Sequence, residues 1–152
     1  MTVMQLKEIP EMLDRWPMTK GNYRVMPMGD MMVGLTTTPP FDCTEAYKEG
    51  GLPGGVCPCP HYGYVFKGRI RSRYPGSDWP DEVAEAGMVY FFPAGHILIY
   101  EEETEALELN PTHALYMCMD AMQRYADRAP QKLEVTKNAY KTQAGYREST
   151  GE

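Results

Sequence analysis

The sequence predicts a mainly β fold, a closed or sandwiched antiparallel barrel with a short N-terminal helix and a C-terminal helix. Three observations carry this expectation. About eight short apolar or alternating runs are separated by turn residues at roughly 8–12-residue spacing, which is the rhythm of β-sandwiches and barrels. The chain carries 14 glycines and 13 prolines, many of them in the turns between these runs. One stretch, after Asn110, carries a sustained apolar stripe at helical spacing.

In chain order, Met4, Leu6, Ile9, Met12 and Leu13 give a loose helical period as far as Trp16, interrupted by Pro10. One short helix or two turns are expected there. Tyr23 to Met28 and Met31 to Thr37 alternate in the β manner, and Gly29-Asp30 between them signals a hairpin. Pro39, Pro40, Gly50, Gly51, Pro53, Gly54 and Gly55 mark a long loop, and loops of that length in compact domains often carry function. His61 to Phe66 and Arg69 to Tyr74 read as two strands of a hairpin around Gly68. Pro75-Gly76 and Trp79-Pro80 form the next turn. Met88 to Phe92 and Ile97 to Glu102 read as strands on either side of Pro93-Ala94-Gly95-His96, and Ala106 to Leu109 as a strand after the acidic turn Glu101 to Glu105. The helix then has Asn110 as N-cap and Pro111 at its first position. Leu115, Cys118, Met119, Met122 and Tyr125 form its stripe, and Arg128, Ala129 and Pro130 end it. The expected division is therefore a helical extension over 1–20, a barrel over 21–110, a helix over 111–130 and a polar, flexible tail over 131–152.

The 152 residues suit one domain with a real core. Fifteen basic against 21 acidic residues, a net charge of −6, give no electrostatic reason to expect nucleic acid as a partner. The longest apolar stretch, Met88 to Tyr100, holds Pro93 and His96 and falls short of the ~20 residues a membrane helix needs. Lys7 and Glu8 stand where a signal peptide would be apolar, so a cytoplasmic location is expected. The four cysteines are few, but Cys57 and Cys59 sit two apart, directly before His61.

Two segments resemble the motifs of the cupin superfamily. The run Pro60-His61-Tyr62-Gly63-Tyr64-Val65-Phe66-Lys67-Gly68-Arg69-Ile70 resembles the first motif. Gly87-Met88-Val89-Tyr90-Phe91-Phe92-Pro93-Ala94-Gly95-His96 resembles the second, with the glycine-to-Pro-x-Gly spacing matched in full. The resemblance covers Gly55 to Pro111. It implies a small jelly-roll barrel, commonly a homodimer. It also implies a divalent metal held by two histidines and a glutamate from the first motif and a histidine from the second. This chain departs from that set. His61 stands at the glutamate position, Cys57 at the second-histidine position and Gly55 near the first. Leu98 occupies the histidine position of the second motif and Glu102 its asparagine position. In their place the chain offers Cys57, Cys59, His61 and His96.

Residues 57, 59 and 61 share parity and point to one face of an extended strand. His96 can meet that face from the opposing strand. Two thiolates and two imidazoles suit zinc best, and iron or copper less well. The alternative is a barrel without metal, in which His61 and His96 are hydrogen-bonded pocket residues and the cysteines are small core residues. A Cys57–Cys59 disulfide would close a very small ring in a reducing compartment and is disfavoured. Cys43 and Cys118 read as buried, inert thiols. Tyr100 and Glu102 are candidate acid–base partners beside His96, though strand-end polar groups are the plainer reading. Arg71, with Arg69 and Arg73, could grip an anionic ligand if its strand face lined the cavity; a solvated face is favoured. Tyr64 and Tyr90 are candidate ligand contacts, with barrel core or dimer interface as the competing role.

The functional expectation is a small-molecule enzyme using a divalent metal as Lewis acid, in isomerase, lyase or hydrolase-like chemistry. Oxygenase chemistry is disfavoured because oxygenases use a two-histidine, one-carboxylate face. The competing class is a non-catalytic small-molecule binder, with or without metal, because one barrel hosts many chemistries.

Overall fold

The computed structural model describes residues 3–13 and 22–128. The chain opens with a single 3-10 turn, Leu6–Glu8, and then a strand, β1 (Glu11–Leu13). The helical period before Pro10 yields only this one turn, because Pro10 cannot continue it. Trp16, at the end of that period, and the tail expected over 131–152 lie outside the described residues.

The hairpin at Gly29-Asp30 forms as its sequence predicts, joining β2 (Asn22–Met28) to β3 (Met31–Thr38) with Met28 opposite Met31. The long loop is less open than its composition suggests. It holds the short strand β4 (Phe41–Asp42) and a helix, α1 (Thr44–Glu49). Asp42 Oδ1 accepts from the Thr44 backbone N–H at 2.9 Å and from its hydroxyl at 2.6 Å, which starts the helix. Gly50 ends it where a Cβ would run into the Ala121 carbonyl, so α1 packs hard against the C-terminal helix.

The remaining strands are β5 (His61–Lys67), β6 (Arg69–Arg73), β7 (Glu82–Glu85), β8 (Val89–Phe92), β9 (Ile97–Tyr100) and β10 (Thr104–Pro111), followed by α2 (Thr112–Arg128). All pair antiparallel, in a sheet ordered β1-β2-β3-β10-β5-β8 and a second ordered β4-β9-β6-β7. Counted from β3, the strands follow the jelly-roll order: first, eighth, third and sixth in one sheet, second, seventh, fourth and fifth in the other. Strands β1 and β2 extend the first sheet.

Two local readings are corrected by this topology. Gly68 does not turn a hairpin: β5 pairs with β10 and β8, while β6 pairs with β9 and β7. It is the corner at which the chain crosses between sheets. Its φ of 91° and the Glu103 carbonyl lying where a Cβ would stand admit only glycine. Asn110 and Pro111 are not the helix cap, because β10 continues through Pro111, paired with Met31. The helix begins at Thr112, whose hydroxyl donates to the Asp30 carbonyl at 3.1 Å.

The core fills the space between the sheets and beneath α2. Tyr23, Val65, Ile70, Phe92 and Leu98 come from the sheets, and Leu115, Cys118, Met119, Met122 and Tyr125 from the helix, all buried. The stripe expected on α2 is therefore the face that seals the barrel. On the outer side of the first sheet, Tyr62, Phe66, Val89, Phe91 and Leu109 stay exposed.

Candidate metal centre

The first motif places its chemistry where β5 begins. Pro58 and Pro60 stiffen the approach, and Cys57 pairs with His96 as an isolated bridge: Cys57 N–H donates to the His96 carbonyl at 2.9 Å, and Gly95 N–H to the Cys57 carbonyl at 2.8 Å. This bridge joins the two motifs. Gly95, with φ of 96°, makes the bend that aims His96 inward.

Three donors converge here. Single ligand atoms of Cys57, His61 and His96 lie within 4.8 Å of one another, and all three residues are buried. The Cys57 thiol is 3.7 Å from His61 Nε2, and the two imidazole rings are 4.8 Å apart. Behind the rings, each Nδ1 is engaged. His61 Nδ1 donates to Asn110 Oδ1 at 2.5 Å, and His96 Nδ1 donates to the Pro93 carbonyl at 2.7 Å. Nε2 of His96 is buried with no hydrogen-bond partner. An orphaned, inward-aimed imidazole nitrogen is costly, and a metal ion relieves that cost. Two imidazole nitrogens and one thiolate are a donor set that zinc accepts, and iron and copper also. The residues present therefore fit a divalent metal.

The electrostatics agree with the donor set. Burial alone would push the Cys57 thiol up, but the nearby Cys118, His61 and His96 side chains outweigh it and hold that thiol well below its usual range. Burial would lower His61, yet its contacts with Cys57 and Cys59, and the Glu108 charge, hold it well above the ordinary imidazole value. Cys118 is pushed up by its hydrogen bond with Cys57 and by burial, and Cys59 by burial. All four cysteines are free thiols.

The other residues singled out in the sequence scatter. The Cys59 thiol contacts His61 but hydrogen-bonds the Pro60 carbonyl at 3.4 Å and stands outside the three-donor group. Tyr100 lines the interior, its hydroxyl driven up by burial and by the Glu108 charge. Glu102 does not approach His96: it is exposed in the turn after β9. Arg71 faces away from the interior, because Ile70 and Ser72 take the inward positions of β6. It pairs with Glu101, and with Asp81 at 3.5 Å. Tyr64 sits on the outer face of β5, edge-on to Phe66. Tyr90 turns inward and its hydroxyl donates to Glu108 Oε1 at 2.9 Å.

Two polar residues of β10 were not anticipated as part of the site. Glu108 is 6% exposed and Asn110 fully buried, on the inward face that they share with Ala106. That shared parity was the available signal. Asn110 Nδ2 donates to Glu108 Oε2 at 3.2 Å. A cavity of about 30 Å³ lies beside them, lined by His61, Glu108, Tyr23, Tyr100, Cys118 and Met122 among others. It has room for about one water molecule.

No family model and no curated protein matches this chain. It is similar to several solved structures. Ectoine synthase from P. lautus is 14% identical with a TM-score of 0.49, over 73% of this chain and 78% of that one. The Clostridium difficile EutQ protein is 14% identical with a TM-score of 0.43, over 72% and 74%. A cupin-2 domain containing protein from Shewanella frigidimarina NCIMB 400 is 17% identical with a TM-score of 0.38, over 59% and 78%. Among the described residues, no helix is long and apolar enough to cross a membrane. Strand order carries the conclusion on fold: this is a jelly roll.

Proposed function

We propose that the chain is a metal-dependent cupin enzyme, in which Cys57, His61 and His96 hold zinc, with iron the second candidate, for Lewis-acid chemistry on a small molecule. The convergence of three buried donors, one of them the bare Nε2 of His96, is the observation that supports this reading. A metal bound there supplies Lewis acidity, which polarises a carbonyl or makes water more acidic. The chain's own residues do the rest. Asn110 and the Pro93 carbonyl fix the two rings, and Tyr23, Tyr100 and Glu108 offer polar atoms to whatever enters the cavity. A donor set without carboxylate favours isomerase, lyase or hydrolase-like reactions over oxygen activation.

A second reading, a metal-binding protein without turnover, draws support from the size of the cavity. About 30 Å³ holds a water-sized ligand, and Leu115, Cys118 and Met122 of α2 wall it off. An organic substrate needs that wall to move.

The test is elemental analysis of untagged protein after zinc or iron supplementation. Stoichiometric zinc is expected, lost in Cys57→Ser, His61→Ala and His96→Ala. A metal content near zero in the unaltered chain sinks the proposal. Once a ligand is found, the two histidine variants separate the readings: they abolish turnover in an enzyme and change only affinity in a binder.

A further inference from the structure

We infer that Glu108, acting through Asn110, is the positioning residue that decides which nitrogen of His61 faces Cys57 and His96. The inference rests on the metal reading for its consequence and on hydrogen-bond direction for its logic. Both carboxylate oxygens of Glu108 act as acceptors, Oε1 from the Tyr90 hydroxyl at 2.9 Å and Oε2 from Asn110 Nδ2 at 3.2 Å. An amide that turns its NH2 group to a carboxylate must turn its oxygen the other way. That oxygen meets His61 Nδ1 at 2.5 Å, and an acceptor there requires Nδ1 to carry a proton. The ring is then locked with Nε2 toward the Cys57 thiol, 3.7 Å away.

Register makes the arrangement specific. Leu109 pairs with Tyr62 across β10 and β5, so Asn110 arrives opposite His61 and Glu108 opposite Gly63. At Gly63 there is no side chain, and the Tyr90 ring crosses the strand there to reach Glu108. A carboxylate, an amide and an imidazole in series act on the metal from outside its donor set, as outer partners of metal-bound histidines do. The chain differs from a direct carboxylate–histidine pair in one respect. The amide passes on hydrogen-bond direction while keeping the carboxylate itself off the ring.

The experiment uses the full chain labelled with 15N-histidine, together with zinc affinity measured against a competing chelator. In the unaltered protein, the His61 Nδ1 proton is expected as a downfield, slowly exchanging resonance, with Nε2 shifted on zinc binding. Glu108→Gln lets the amide face either way, and Asn110→Ala removes it. Both should speed exchange of that proton and weaken zinc binding by roughly ten- to a hundredfold. Tyr90→Phe, which removes only a hydroxyl, should show the same change in weaker form and carries the test if Glu108→Gln fails to fold. An unchanged Nδ1 resonance together with unchanged zinc affinity in these variants overturns the inference. If the unaltered chain takes up no zinc, the metal proposal falls alone. The relay is then judged on the Nδ1 resonance: altered in Glu108→Gln, it stands; identical, it falls.

Discussion

Gly63 shows how much of the site depends on a missing methyl group. A Cβ there would overlap the Tyr90 ring and the Leu107 carbonyl, and the ring has to lie close across β5 for its hydroxyl to reach Glu108. We expect Gly63→Ala to cost about 1–3 kcal/mol through overpacking, read as a lower urea midpoint at unchanged m-value. The same parity rule that put Cys57, Cys59 and His61 on one face held for their burial, but it did not decide which of them converge. Cys59 is as buried as Cys57, yet its thiol turns to the Pro60 carbonyl. Choice of rotamer is made by the packed neighbours, and a strand period carries no information about those.

At the level of elements, α2 is the part whose role was most legible and whose start was least so. Leu115, Cys118, Met119, Met122 and Tyr125 all bury, as a helical stripe must when it covers a barrel end. The Asn-Pro signal for a cap was outcompeted by pairing, since β10 keeps its register with β3 through Pro111 and Asn110 is drawn inward to His61. Met122 packs under the helix and lines the cavity. We expect Met122→Ala to cost about 2–5 kcal/mol, measured by equilibrium unfolding, and to enlarge the cavity. A variant of unchanged stability would show that α2 does not seal the barrel in solution. The arginine row on β6 meets acidic side chains, with Arg69 paired to Glu85 at 2.9 Å and to Glu101 at 2.7 Å.

For the whole molecule, the outer face of the first sheet is the unfinished surface. Val89 is 80% exposed and Phe91 50%, with Tyr62, Phe66 and Leu109 beside them and Tyr62 stacked on Phe91 at 4.7 Å. None of these side chains carries a charge, so an apolar surface complements them best. We propose that a second copy supplies it, this face meeting itself about a two-fold axis as isologous dimers do. Sedimentation should give the dimer mass for the full chain and the monomer mass for Phe91→Asp. A monomer in both, or a dimer in both, removes this face from assembly.

By itself the sequence indicated seven of the ten strands described, the apolar stripe of α2, the shared face of Cys57, Cys59 and His61 and, by resemblance, the jelly-roll class. Most of these are local properties: a period of two places a residue on a face, a proline fixes φ and a glycine opens positive φ whatever lies beyond it. Only the tertiary structure decided that His96 lies over Cys57, that Asn110 stands behind His61, that Glu108 rather than Glu102 is the buried carboxylate and that Gly68 crosses between sheets. Each of these depends on the register between strands far apart in the chain. That register is set by the packing of the whole barrel.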